Sequence, residues 1–385
     1  MIKPGYKRLG DYIEPMDERN SNLSVKLSQG ICNNKYFITP RQVAENSAND
    51  KIVRTGQFAY NRATTRNGDK ISIAYREGPD CTVSSAYQIF RIKDENKLNP
   101  HYLWMWFRRP EFDRYARFKS RGSAHEFFEW DEMCEVYLPI PDIDEQRRIV
   151  SHLQAIETRI TSNLAYMREL EQLAKTIFDR YFGFAYFSGA TDELEELELR
   201  ECVSINECNL SSKELPDQLL YLETGGVTNN QFNEFSLIDL RTEELPSRAK
   251  RIVKSGDIVY SSVRPNLRHY GILRNIKPGT VASTGFIVLN SNKAHISNEL
   301  IYMWITFDKY TEYLNGIAAA SKATYPSIIP EDLLGLKVWV PKATSKKHRK
   351  AQESLQLLYK YIGTIDEENQ LLSQFTSILL PKLMI

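Results

Sequence analysis

Two short stretches rich in arginine, asparagine and threonine carry the residue types best suited to chemistry in this chain of 385 residues. The first is Asn61-Arg62-Ala63-Thr64-Thr65-Arg66-Asn67-Gly68. The second, some 200 residues on, is Ser262-Val263-Arg264-Pro265-Asn266-Leu267-Arg268. Guanidinium and carboxamide groups read base edges, arginine pairing with guanine and asparagine with adenine in the major groove. A second pair of polar stretches, Arg121-Gly122-Ser123 and Ala320-Ser321-Lys322-Ala323-Thr324-Tyr325, offers similar groups, with Arg117 shortly before the first. The candidate DNA contacts are therefore Arg62, Thr64, Thr65, Arg66, Asn67, Arg117, Arg121 and Ser123 in one half of the chain. In the other half they are Arg264, Asn266, Arg268, Ser321, Lys322, Thr324 and Tyr325.

Local charge supports this more than net charge, which is only +1. Between Lys51 and Arg121 basic residues outnumber acidic ones roughly two to one. Arg248, Lys250, Arg251, Lys254, Arg264, Arg268, Arg274 and Lys277 are opposed only by Asp257. A basic stripe on a neutral protein is the footprint of phosphate contacts. Catalytic patterns are scarce by comparison. There is no phosphate-binding Gly-x-x-x-x-Gly-Lys-Ser/Thr, no Gly-x-Gly-x-x-Gly and no Asn-Pro-Pro-aromatic signature. The six histidines lack metal-ligand spacing. Asp80, Glu95 and Lys97 fit a loose acid–acid–lysine pattern for metal-assisted hydrolysis, which the second half of the chain does not repeat. A metal-dependent nuclease is thus one alternative, and a non-catalytic dimerisation scaffold another. The five cysteines, Cys32, Cys81, Cys134, Cys202 and Cys208, form no Cys-x-x-Cys pair and read as buried free thiols. With no charged-then-apolar leader pattern and no apolar run of about 18 residues, a cytoplasmic location and no membrane partner are expected.

The elements that must position these groups occur twice. Leu9-Gly10-Asp11-Tyr12-Ile13 is echoed by Leu199-Arg200-Glu201-Cys202-Val203, and Gly30-Ile31-Cys32-Asn33-Asn34 by Gly226-Val227-Thr228-Asn229-Asn230. The run from Lys51 to Tyr60 returns from Arg251 to Tyr260, and Tyr102-Leu103-Trp104-Met105-Trp106 returns as Leu300-Ile301-Tyr302-Met303-Trp304. Tyr115 matches Tyr313, and Val136-Tyr137-Leu138-Pro139 matches Val338-Trp339-Val340-Pro341. Preserved order at an offset near 200 means internal duplication. Alternation and Gly/Asn punctuation predict strands at 57–61, 70–75 and 82–92, and at 257–261, 271–274 and 280–289. One helix is expected after each set, near 100–109 and 297–306.

Each half ends in a long helical pattern. Apolar residues at Ile149, Leu153, Ile156, Ile160, Leu164, Met167, Leu170, Leu173 and Ile177 step by threes and fours, as along a coiled-coil seam. Asp144 reads as the N-cap. The matching stripe is Ala351, Leu355, Leu358, Ile362, Ile365, Leu372, Phe375 and Leu379, with Asn369 on it and Gly363 inside. A helix of this length, on the order of 55–60 Å, needs a partner of similar length.

Taken together, these residues resemble the specificity subunit of Type I restriction–modification systems. The most specific match is Leu138-Pro139-Ile140-Pro141 through Glu145-Gln146-Arg147-Arg148-Ile149, and Gly56-Gln57 and Gly256-Asp257 fit as strand openings. The resemblance implies an α+β fold with a pseudo-twofold repeat: two β-rich target recognition domains separated by two long helices packed as an antiparallel coiled coil. The implied boundaries are 1–143 for the first recognition domain, 144–190 for the first helical region and linker, 191–343 for the second domain and 344–385 for the second helical region. It further implies a subunit without catalysis or cofactor that reads a bipartite double-stranded DNA target. Two DNA methyltransferase subunits and restriction-translocase subunits would be its partners, with Glu145, Gln146, Arg147 and Arg148 on the partner-binding surface. Lys347-His348 stands where Glu145-Gln146 stands in the first copy, so the second contact is expected to differ.

Overall fold

The computed structural model describes residues 5–40, 47–64, 70–120, 126–189, 191–211, 215–233, 235–320 and 326–383. The chain divides into two compact units, Met1–Ile160 with Leu371–Ile385, and Thr161–Gln370.

In the first unit, strands Ile13–Met16, Tyr87–Ile92, Phe58–Asn61 and Ile73–Tyr75 form an antiparallel sheet in that spatial order, with Phe58 opposite both Phe90 and Tyr75. Alternation along the strands separates two cores. Phe58, Tyr60 and Phe90 face α1 (Pro100–Phe107) and α2 (Pro110–Lys119). Ala59, Ala74 and Ile89 face the paired strands Lys51–Val53 and Cys81–Val83. Asn99 caps α1 by accepting from the backbone N–H groups of His101 (2.9 Å) and Tyr102 (3.1 Å), and Pro100 occupies the first helical position. A short α3 (Trp130–Cys134) leads to the strand Tyr137–Pro139, which pairs with Tyr6–Arg8.

The second unit repeats the plan. Strands Val203–Ile205, Phe286–Ser291, Ile258–Ser261 and Tyr270–Ile272 form a sheet with the same order and sense. After α5 (Ala185–Ser188) come α6 (Asn298–Ile305), α7 (Asp308–Ala320) and α8 (Pro330–Leu334), matching α1 to α3. Its second sheet is larger: Ser236–Asp239, Gln218–Leu222, Val281–Ser283 and Ala249–Ile252, with one parallel pairing between Gln218–Leu222 and Val281–Ser283. A polar anchor ties each sheet-facing helix down, from a different helical position in the two units. The Tyr102 hydroxyl donates to the Pro139 carbonyl at 3.0 Å, and the Trp304 indole N–H donates to the Trp339 carbonyl at 3.0 Å.

Backbone bonds move one sequence match by two residues: the Leu9 N–H donates to the Val136 carbonyl and the Leu199 N–H to the Leu336 carbonyl, each at 2.8 Å. Pro139 corresponds to Trp339, so Pro141 corresponds to Pro341. Each predicted strand at 82–92 and 280–289 is two strands, because the turns at 84–86 and 284–285 carry the chain from one sheet to the other. The second and third helices of each unit carry short, mixed patterns and were not expected from sequence.

The long helices are α4 (Ile143–Phe178), followed by a π-helical turn Asp179–Gly183, and α9 (Lys346–Leu383). The N-cap of α4 is Asp142 rather than Asp144: its carboxylate accepts from the Glu145 N–H at 2.9 Å, which puts Glu145 at the third helical position. The apolar stripe also shifts phase. Leu164 (39% exposed) and Leu173 (48%) face solvent, while Asn163, Ala174 and Phe178 are buried. On α9, Phe375 is likewise exposed. Within the second unit the two helices run antiparallel: Asn163 donates to Asn369 at 2.9 Å, and the Phe182 ring lies 5.7 Å from His348. Within the first unit, Leu379, Leu380 and Leu383 of α9 pack on the cluster that contains Ile149, Val150 and Leu153. Of the cysteines, Cys81 and Cys202 are buried, but Cys208 is exposed.

The buried Asn163–Asn369 pair gives a direct expectation. Asn163→Leu alone removes the donor to the buried Asn369 carboxamide oxygen, a loss of about 1–3 kcal/mol, whereas Asn163→Leu with Asn369→Leu recovers most of it. Thermal midpoints of the two variants check this; a double variant no better than the single one would show that the pair is not acting as a unit.

Candidate nucleic-acid interface

In each unit the strand that precedes the predicted base-reading stretch ends in the same stitch. Ala63 bridges Phe127, the Thr64 N–H donates to the Glu126 carbonyl at 2.9 Å, and the Phe128 N–H donates to the Arg62 carbonyl at 2.9 Å. In the second unit Val263 bridges Ser327, the Arg264 N–H donates to the Pro326 carbonyl at 2.8 Å, and the Ile328 N–H donates to the Ser262 carbonyl at 2.9 Å. Stretches some 60 residues apart in sequence are therefore neighbours at their described edges. Thr65, Arg66, Asn67, Arg121, Ser123, Ser321, Lys322, Thr324 and Tyr325 lie outside the described residues.

The described candidates separate by burial. Thr64 is buried (3% exposed) and its hydroxyl donates to the Glu126 carbonyl at 3.1 Å, so it anchors the stitch and does not face DNA. Arg62 is partly exposed, with Nε donating to the Ala86 carbonyl at 3.3 Å and Nη1 3.4 Å from Glu129. Arg117 pairs with Glu126 on the surface. Arg264 and Asn266 are exposed on a tight 3₁₀ turn, Pro265–Leu267, flanked by Arg264 (φ 51°) and Arg268 (φ 54°) in the left-handed region. Such backbone is costly for arginine and marks a turn held in place by its surroundings. Part of the holding is visible: Arg268 reaches Asp308 at 2.9 Å, and Lys175 of α4 reaches the same carboxylate at 2.7 Å. The Lys175 hydrogen bond first, and Arg268 after it, hold the Asp308 carboxyl below its usual range. Arg268 therefore positions the turn from which Arg264 and Asn266 project.

The helix-start residues separate as well. Glu145, Arg147 and Arg148 lie on the surface of α4, Arg148 paired with Glu145 at 2.7 Å and Arg147 with Asp144 at 3.3 Å. Gln146 is fully buried. Its Oε1 accepts from the Asn99 N–H at 2.8 Å, and its Nε2 donates to the carbonyls of Lys97 (3.0 Å) and Pro141 (2.9 Å). It is an internal rivet between the start of α4 and the cap of α1, which removes it from the partner surface. The second copy keeps the rivet. Gln352 accepts from the Ser297 N–H at 3.3 Å and donates to the His295 carbonyl at 3.0 Å. The counterpart of Gln146 is thus Gln352, not His348, which is buried against Ser345.

The hydrolytic alternative has no such geometry. Asp80 accepts from Arg54 (2.6 Å) and from the Thr55 N–H (3.0 Å), and the Arg54 hydrogen bond chiefly holds its carboxyl below the usual range. Among the described residues no group of three His, Cys, Asp or Glu side chains could hold a metal ion. No helix among them is long and apolar enough to cross a membrane.

Residues 23–172 match the family model described as the Type I restriction modification DNA specificity domain. Over those residues the chain is similar to the specificity subunits of Type I restriction–modification systems. A curated relative, the specificity subunit of the Type I restriction enzyme HindI of Haemophilus influenzae, is 27% identical over 161 residues, 42% of this chain. The chain spans about a third (33%) of that relative's length. The fold agrees across the full length. The crystal structure of the S subunit from M. genitalium superposes with a TM-score of 0.54 at 14% identity, covering 99% of this chain and 96% of its own. The fold is the α+β fold of that S subunit, and residues 23–172 carry the DNA specificity domain.

Sequence reasoning passed over one basic surface. The turn between strands Gly30–Ile31 and Phe37–Ile38, together with α2, borders a cleft of about 810 Å³ lined by Lys35, Lys70, Arg108, Arg114 and Arg117. Arg108, Arg114 and Arg117 were visible in the basic stretch. Lys35 lies far from it in sequence, and only the hairpin brings it there.

Proposed function

We propose that this chain is the sequence-specific DNA-recognition subunit of a Type I complex, reading a bipartite target with one half-site per unit and positioning two methyltransferase subunits, with restriction subunits joining them. The observation that carries the reading is the duplicated stitch. Equivalent scaffold positions present different side chains: Arg62 stands where the second unit has Ser262, and the exposed Arg264 stands where the first has the buried Thr64. Two modules built to read two different sequences need that combination of shared frame and divergent tip. Partner docking on the long helices is supported by their outward apolar side chains, Leu357 and Tyr361 in the second unit and Leu371, Phe375 and Ile378 in the first, and by the charged Glu145, Arg147 and Arg148 on the surface of α4. Exposed apolar residues at three- and four-residue steps form a helix face suited to a partner.

The test is selection of duplexes from a random library by the chain assembled with its methyltransferase. Arg264→Ala is expected to relax one half-site by about 1–3 kcal/mol, and Arg62→Ala the other, if each makes a bidentate base contact. Equal weakening of both half-sites by either change would make these arginines phosphate contacts and overturn the assignment.

A further inference from the structure

We infer that the cleft between α2 and the Asn33–Lys35 turn is a phosphate-backbone clamp built into the first unit and missing from the second. The inference rests on the DNA-recognition reading above and gives its two units unequal electrostatic roles.

The clamp begins with a hairpin difference. In the first unit five residues, 32–36, join strands Gly30–Ile31 and Phe37–Ile38; in the second only Asn229 and Asn230 join Val227–Thr228 and Gln231–Phe232. The longer turn inserts Lys35, held in the left-handed region at φ 69°. Lys35 is 5% exposed and its ammonium sits 2.8 Å from Asp113 of α2. Asp113 also accepts from the Ile71 N–H at 3.1 Å, so the turn, the approach to strand Ile73–Tyr75 and α2 converge on one carboxylate. Burial lowers the Lys35 pKa, and the nearby positive charges of Lys70 and Arg108 add to the effect. Around this core the cleft presents Lys70, Arg114 and Arg117, with the Phe118 ring 83% exposed beside them. Five cations line this concave surface: Lys35 is matched by Asp113 within it, while Arg108, Arg114 and Arg117 pair with Glu157, Glu111 and Glu126, whose carboxylates do not line it. A diester anion can take the place of those surface carboxylates on the exposed guanidinium groups, and an exposed ring suits the sugar that follows it.

The second unit takes the opposite course. Helix starts at Pro110 and Asp308 set the correspondence between α2 and α7, so Arg114, Arg117 and Phe118 correspond to Glu312, Asn315 and Gly316. The turn residue Asn230 is directed to α4, donating to Glu171 at 2.7 Å. At the head of α7, Asp308 is neutralised internally by Lys175 and Arg268.

The full chain is titrated with a random-sequence duplex across a salt series. Replacing Lys70, Arg114 and Arg117 together by alanine is expected to weaken binding tenfold or more at low salt. The slope of log K against log salt should become shallower by about 2–3, near 0.9 for each phosphate that the variant no longer neutralises. The half-site preferences should stay as they are. Lys309→Ala, on α7, should leave the slope unchanged. If the triple variant loses its wild-type thermal midpoint, Arg114→Glu alone (its side chain 70% exposed) must still flatten the slope. An unchanged slope in a folded variant, or an equal change from Lys309→Ala, overturns the clamp while leaving the DNA-recognition reading intact. A wild-type chain that binds no duplex defeats that reading itself. Saturable stabilisation of the wild type, but not of the triple variant, by inorganic phosphate would make the cleft a free-anion site and overturn the clamp as well.

Discussion

Gln146→Ala is expected to destabilise the first unit by about 2–5 kcal/mol while leaving the second within a few tenths. The side chain is fully buried and makes three hydrogen bonds to backbone groups of two segments: the Asn99 N–H and the Lys97 carbonyl before α1, and the Pro141 carbonyl before α4. Removing it leaves all three without that partner in a site that water does not reach, and each stranded group costs about 1–3 kcal/mol. Part of that sum is recovered by local relaxation. Gln352→Ala should act in the same way on the second unit and less strongly, because its bonds at 3.3 and 3.0 Å are longer and fewer. Hydrogen exchange resolved by peptide reads the two units separately, as a single melting curve does not. Loss of protection spread equally over both units by either variant would refute the rivet. Neither variant touches a base-reading side chain, so both should keep their half-site preferences at temperatures where they remain folded.

Exchange of residues 191–343 for the same segment of a relative is expected to replace one half-site completely and leave the other intact. The segment carries its own sheets, its own α6 to α8 and the turn that presents Arg264 and Asn266. Exchange of 191–385, the whole second copy, should change the same half-site but also weaken the first unit. The reason is the route of α9. Its residues Ala351, Leu355, Tyr359 and Ile362 belong to the core of the second unit, whereas Leu379, Leu380 and Leu383 complete the core of the first. Each of these leucines is half-buried there and contributes on the order of 1 kcal/mol, about half of what full burial gives. A donor with polar residues at those three places should therefore give a chimera with a lowered thermal midpoint, restored by putting the leucines back. Methylated-site sequencing with the assembled complex reads the half-sites. A 191–343 chimera that folds and assembles yet keeps both original half-sites would defeat the modular reading.

The duplication, the β-rich halves and both long helices were legible in the chain because each rests on local signals: repeated words at constant offset, alternation of period two, apolar steps of three and four. The same locality explains the errors. Leu164 and Leu173 satisfy the helical spacing as well as Asn163 and Ala174 do, and only the packing surface decides which phase is buried. Asn369 was visible as a polar residue on the stripe; its partner Asn163 was not, because pairing is set by the antiparallel register in the second unit. Gln352 escaped notice because the chain inserts six more residues between Pro341 and Gln352 than between Pro141 and Gln146, and equivalence there is defined by the hydrogen bonds to Ser297 and His295.

The candidate site divides along the same line. Sequence alone determined that arginine-rich turns follow equivalent strands in two copies, since side-chain type and strand period are local properties. Tertiary structure alone decided that Thr64 is an anchor, that Arg268 is held by Asp308, and that Lys35 meets Asp113 across 78 residues of chain. Burial and ion pairing are properties of the folded surface: they depend on which segments the hydrophobic cores bring within about 4 Å of one another, and no spacing along the chain encodes that.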